Sequence, residues 1–169
     1  VRRRRAVVVL AALAWAIAGC GYSFHGTLPG HIKTVAVPMF VNRTQQPAVE
    51  SVITRAIVDA FATNGRLRVV RREDADSILE GEVVGYSVGA IAVDPSLTVQ
   101  QYRLAVTLNL RMRDVRRNEL LFQHANFTEQ ADFRVAGSVA QTISVEAGAL
   151  QQAATEIGRS VVSLALDRF

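Results

Sequence analysis

Leu104-Ala105-Val106-Thr107-Leu108-Asn109-Leu110-Arg111-Met112-Arg113 alternates without a break. Leu104, Val106, Leu108, Leu110 and Met112 point one way; Ala105, Thr107, Asn109, Arg111 and Arg113 point the other. A period of two marks a strand with one face buried and one face open. The polar turn at Asp114 to Asn118 leads to a returning strand, roughly Glu119 to Phe133. On the other side, Asp94-Pro95-Ser96 forces a turn back to a strand-like run from Ser77 to Val93. These segments predict an antiparallel meander. The glycines at 81, 85 and 89 interrupt its first strand and predict bulges or bends.

The apolar face of this meander needs a cover. From Ser138 the period changes: Ile143, Ala147, Leu150, Ala154, Ile157, Val161 and Leu164 recur at alternating steps of four and three. That spacing predicts an amphipathic helix of about 28 residues, with Leu166 extending its face. Upstream, the near-continuous apolar run Ile32 to Phe40 predicts a strand buried on both sides. Pro47 suits a first helical turn, and Val49, Val52, Ile53, Ala56, Ile57, Ala60 and Phe61 trace one helical face. Asn64-Gly65 stops that helix, and Leu67 to Val70 gives a second short strand. Strand, helix and strand with tight joins predict two parallel strands beside the meander. The expected fold is α+β: a two-layer sandwich in which two helices pack on one face of a mixed sheet of four to five strands.

The N-terminus carries different information. Arg2 to Arg5 precede thirteen mostly apolar residues, Ala6 to Ala18, and then Gly19-Cys20-Gly21. A basic start, a short apolar core and small residues at the end form a secretory signal peptide. Ile17-Ala18-Gly19-Cys20 looks like a bacterial lipobox, whose cysteine is acylated and becomes the first mature residue. As a helix the apolar run would rise about 20 Å, short of a bilayer core of roughly 30 Å, which disfavours an uncleaved membrane span. The expected organisation is a cleaved signal peptide over 1–19, a flexible tether over 20–31 and one domain over 32–169. Three acyl chains at Cys20 would make release from a membrane negligible, since each buried methylene adds about 0.8 kcal/mol. Gly21, where Asp would hold enterobacterial lipoproteins at the inner membrane, favours the outer membrane.

The whole chain holds 19 Lys+Arg against 15 Asp+Glu. Four of the arginines leave with the leader, so the mature protein is formally neutral. The basic isoelectric point therefore gives no support for nucleic-acid binding. Cys20 is the single cysteine, so lipidation leaves no thiol for a disulfide or a thiolate metal site. His25 and His31 fall in the tether and His124 in a strand, with no grouped partners for metal or triad chemistry. No catalytic residue, metal site or cofactor is expected. One cluster stands out: Arg111, Arg113, Arg116 and Arg117 surround the meander tip. It reads either as a solvated turn with charged edges or as an anion site, because planar guanidinium forks suit phosphate and carboxylate.

Cys20-Gly21-Tyr22-Ser23-Phe24-His25-Gly26 resembles the opening of the LptE-type lipopolysaccharide-assembly lipoproteins. The likeness continues through Ile32 to Phe40, Asn42-Arg43-Thr44, Ala75 to Val83, the hairpin around Asp114 to Leu120 and the long final helix. It implies a non-enzymatic outer-membrane lipoprotein. Its partner would be an LptD-type β-barrel, which such proteins plug and help assemble, and its cargo would be lipopolysaccharide on the way to the outer leaflet. Arg111, Arg113, Arg116 and Arg117 are our candidates for meeting lipopolysaccharide phosphates. Val35 to Phe40, the first helix and Leu67 to Arg72 also look like the units of CsgG-type secretion-pore lipoproteins and of outer-membrane activators of peptidoglycan synthases. That alternative implies a homomeric pore or a periplasmic enzyme partner.

Overall fold

The structure is a computed structural model that describes residues 28–93, 99–134 and 139–167. In chain order it runs β1 (Thr34–Ala36), β2 (Val41–Asn42), α1 (Val49–Asn64), β3 (Arg68–Val69), β4 (Ser77–Val93), β5 (Val99–Asp114), β6 (Leu120–Arg134) and α2 (Val139–Asp167). The fold is α+β, with a six-stranded mixed sheet, slightly more than the four to five strands expected. Its order is β3-β1-β4-β5-β6, with β2 also paired to β4. β1 runs parallel to both β3 and β4, and β4, β5 and β6 form the antiparallel meander.

The extra strand arises from a break in the expected run Ile32 to Phe40. β1 pairs along Ser77 and Ile78, and β2 resumes along Glu82 and Val83. The step from Ala36 to Val41 is one residue longer than the step from Ile78 to Glu82, so the segment between them bulges from the ladder. The bulge seats Phe40 in the core. Its ring lies where a side chain on Gly81 would go. Gly81 therefore serves close packing, whereas a bend was expected there. Gly85 does sit at a register shift, but Gly89 pairs regularly with Arg103.

Helix α1 begins at Val49, two residues later than the proline expected in its first turn. Ala48, at φ 64°, turns the chain into the helix. The preceding loop is organised by Asn42. Its amide donates to Gln46 O (2.8 Å) and Glu50 Oε2 (2.9 Å), and its carbonyl accepts from Thr44 N (2.8 Å). Gly65, at φ 73°, closes the helix with its N–H on Phe61 O. Only an αL residue makes that cap, which Gly adopts without a Cβ penalty.

Val49, Ile53, Ile57 and Phe61 of α1 are fully buried, as are Leu104, Val106, Leu108 and Met112 of β5. The period-two reading of β5 is thus realised residue by residue. On α2 the buried stripe is Ala149/Leu150, Ala153/Ala154, Ile157/Gly158, Val161/Val162 and Ala165/Leu166. Two residues of the expected stripe fall at its margin: Ala147 is exposed and Leu164 half-buried. The side chain of Ile143 lies outside the described residues. The stripe is wider than its sequence spacing because α2 packs against α1 as well as against the sheet. At Gly158 the helices touch through backbone: a Cβ there would stand 2.7 Å from Ala56 O.

Candidate site on the helix-free face of the sheet

The face away from the helices carries the polar half of each alternating strand. On β5 it presents Arg103, Thr107, Asn109, Arg111 and Arg113, and on β4 it presents Glu80 and Glu82, paired in register with Arg111 and Asn109. β6 adds Gln123, Thr128 and Asp132 opposite Arg111, Thr107 and Arg103. Thr107 and Thr128 hydroxyls meet at 3.0 Å, and Arg103 grips Asp132 with two bonds of 2.6 and 2.8 Å. That fork holds the Asp132 carboxyl below its ordinary pKa. Asn126, at φ 55°, forms a bulge in β6, and its N–H donates to Asn109 Oδ1 (3.0 Å).

The meander tip is held by a buried carboxylate. Asp114 is 0% exposed. Its Oδ1 accepts from the Arg116 and Arg117 amides (2.8 and 3.1 Å), and its Oδ2 lies 2.6 Å from His31 Nε2. Beside it, Asp76 Oδ2 accepts from the Lys33 and Thr34 amides (3.1 and 3.2 Å) and the Thr34 hydroxyl (2.9 Å). Asp76 O accepts from Val115 N at 2.8 Å. Burial alone would raise both carboxyls. For Asp114 the Arg117 amide, His31 and the Arg116 amide outweigh it; for Asp76 the Lys33 amide, Thr34 and the Arg116 charge do. Both aspartates therefore sit below the ordinary carboxylate range. His31 was expected in a flexible tether. In the structure Leu28 packs against the core and Ile32 N bonds Pro29 O, so the last residues of that segment dock on the domain through His31 and Asp114. Cys20 and His25 lie outside the described residues.

The four arginines named from the sequence have different partners. Arg111 bonds Glu80 at 2.9 Å. Arg116 pairs with Asp76 at 3.0 Å. Arg113 reaches Asn118 at 3.4 Å. Arg117 is exposed, with its backbone tied to Asp114. The structure adds a residue the sequence did not flag: Arg72 reaches Glu80 from the other side at 3.5 Å. Arg72, Glu80, Glu82 and Arg111 line a groove of about 560 Å³ together with Met39 and Val41. Met39 is 61% exposed and Val41 44%. The groove thus sets solvent-exposed apolar side chains beside charged ones of both signs. Only strand register brings Glu80 to Arg111 across 31 residues, so no local motif could have announced it.

Elsewhere, Tyr86 donates to Glu146 Oε1 at 2.7 Å, tying β4 to α2. Burial and then the Glu146 carboxylate push this phenol above its ordinary pKa. Among the described residues there is no group of three or more His, Cys, Asp or Glu placed to hold a metal ion. No described helix is long and apolar enough to cross a membrane.

Comparison with curated proteins finds no match. Solved structures with the same fold include protein XCC0632 from Xanthomonas campestris, at 15% identity and TM-score 0.59 over 84% of this chain and 90% of that one. Hypothetical protein CT253 from Chlamydia trachomatis aligns at 10% identity and TM-score 0.56, covering 79% of this chain and 95% of that one. A minor lipoprotein from Acinetobacter baumannii aligns at 15% identity and TM-score 0.50, covering 80% and 96%. At these identities the likeness is one of fold. The sequence itself matches a family over residues 32–164, from the first strand almost to the end of α2, and the chain belongs to that family, LptE, of lipopolysaccharide assembly.

Proposed function

We propose that this chain is a non-enzymatic lipoprotein of lipopolysaccharide assembly. Cys20 carries its acyl chains, the outer membrane holds it, and an LptD-type β-barrel is its partner. The body sits in the barrel lumen, assists the barrel's assembly and helps pass lipopolysaccharide to the outer leaflet. No step of this work needs a cofactor or a bond-making residue.

The reading is supported by the family match together with one physical observation: a core closed by helices on one side of the sheet leaves a polar, ion-paired face on the other. Barrel lumens are polar, so the charged and hydroxyl groups of such a face can be enclosed there and keep polar surroundings. The arginines at the meander tip and in the groove offer guanidinium forks to lipopolysaccharide phosphates.

Affinity purification of the full chain from detergent-solubilised envelopes tests the reading. The expected result is co-purification with a large β-barrel, and a protein whose N-terminus is acylated Cys20. Recovery as a homomeric ring without a barrel would transfer the chain to the secretion-pore class.

A further inference from the structure

Glu80 lies between two guanidiniums. Arg111 Nη2 approaches Oε2 at 2.9 Å and Arg72 Nη2 approaches Oε1 at 3.5 Å. The arginine side chains are more than half exposed (59% and 54%), whereas Glu80 is recessed at 27%. Each arginine commits one terminal nitrogen to Glu80 and keeps other N–H groups available to donate. Met39 and Val41 flank the same groove. Glu82, the next residue on this face, is occupied separately by Arg43 at 3.2 Å.

We infer that Glu80 is an exchangeable internal counter-ion, which holds Arg72 and Arg111 together until a lipid phosphate takes its place. The inference rests on the proposed reading, in which a phosphate-bearing lipid is the cargo. A phosphate monoester brings a charge of about −1.5 to −2 at pH 7 and three acceptor oxygens, against the single charge of a carboxylate. Ion pairs this exposed are weak and readily exchanged. The phosphate therefore displaces Glu80 from both arginines while the acyl region rests on Met39 and Val41. When the phosphate leaves, Glu80 returns between the two guanidiniums and offsets part of the repulsion between them across the groove. A carrier built this way binds its cargo less tightly than bare arginines would, and releases it faster.

The test titrates the detergent-solubilised full chain with fluorescent lipopolysaccharide, intact or enzymatically dephosphorylated. Glu80→Gln should bind the intact form about two- to fivefold more tightly, the range set by the weak coupling of exposed pairs. The gain should appear as slower release, and it should vanish with the dephosphorylated form. Arg111→Gln and Arg72→Gln should weaken binding, and Glu80→Gln should give no gain in their background. Glu156→Gln changes the net charge equally by freeing an arginine on α2, Arg159, away from the groove, so it should leave affinity unchanged. Circular dichroism and thermal melting confirm that each variant folds. If the arginine variants weaken binding but Glu80→Gln does not strengthen it, or Glu156→Gln strengthens it as much, the counter-ion role is overturned and the anion groove stands. If the folded arginine variants bind as well as the native chain, the groove is not the phosphate site and the inference falls with it.

Discussion

Gly81→Val should cost about 3 kcal/mol, the upper end of what overpacking a core costs. A Cβ at this position would clash with three carbons of the Phe40 ring. Phe40 cannot swing away cheaply, because it is 3% exposed and its backbone N–H is held by the buried Thr54 hydroxyl at 3.0 Å. Thr54 in turn donates to Glu50 O at 2.7 Å within α1. The clash would thus reach the first helix through the bulged segment between β1 and β2. For a domain of this size the melting temperature should fall by roughly 10 °C or more. Phe40→Ala empties the space, so the double variant Phe40→Ala/Gly81→Val should cost clearly less than the sum of the two single changes. Additive losses in denaturant titrations would show that Gly81 acts on backbone conformation and not through the ring.

Asp114→Ala should cost about 2–4 kcal/mol, because it strands two buried turn amides and the His31 contact at once. The same carboxylate makes stability depend on pH. Asp114 and Asp76 both titrate below their ordinary value when folded, so on acidification the unfolded chain takes up protons before the native state does. Their contribution is fully present above the unfolded carboxyl pKa of about 4 and is lost as pH falls through the lower folded values. Urea midpoints should therefore drop steeply below about pH 4. Asp114→Asn, which keeps the shape and loses the charge, should flatten that drop. An unchanged acid limb in Asp114→Asn would mean that other groups set the pH dependence.

The parts of this fold that follow from local periodicity were legible before any coordinates. Leu104 to Met112 declared both faces of β5, and Val49 to Phe61 declared the buried face of α1. The misses share a physical cause: each depends on a contact between distant residues. The break between Ala36 and Val41 exists to seat Phe40 over Gly81, 41 residues away. The broadened stripe of α2 exists because Gly158 meets Ala56. His31 left the expected tether because Asp114, 83 residues on, needed a partner. At the site, Arg111 and Arg113 were placed correctly on the open face by alternation, but Arg72 and Glu80 became visible only through register. A turn-favouring Asp at position 114 was a readable signal for the tip, yet nothing in its neighbours told that it would be fully buried.

In the proposed complex a barrel covers the polar, helix-free face of this LptE-family chain. A photo-crosslinking residue substituted at Thr107, in the middle of that face, probes it in intact envelopes. The expected result is a single heavy adduct between this chain and a large outer-membrane β-barrel protein. Adducts confined to second copies of this chain, or a Thr107 position that captures only soluble periplasmic proteins, would contradict it.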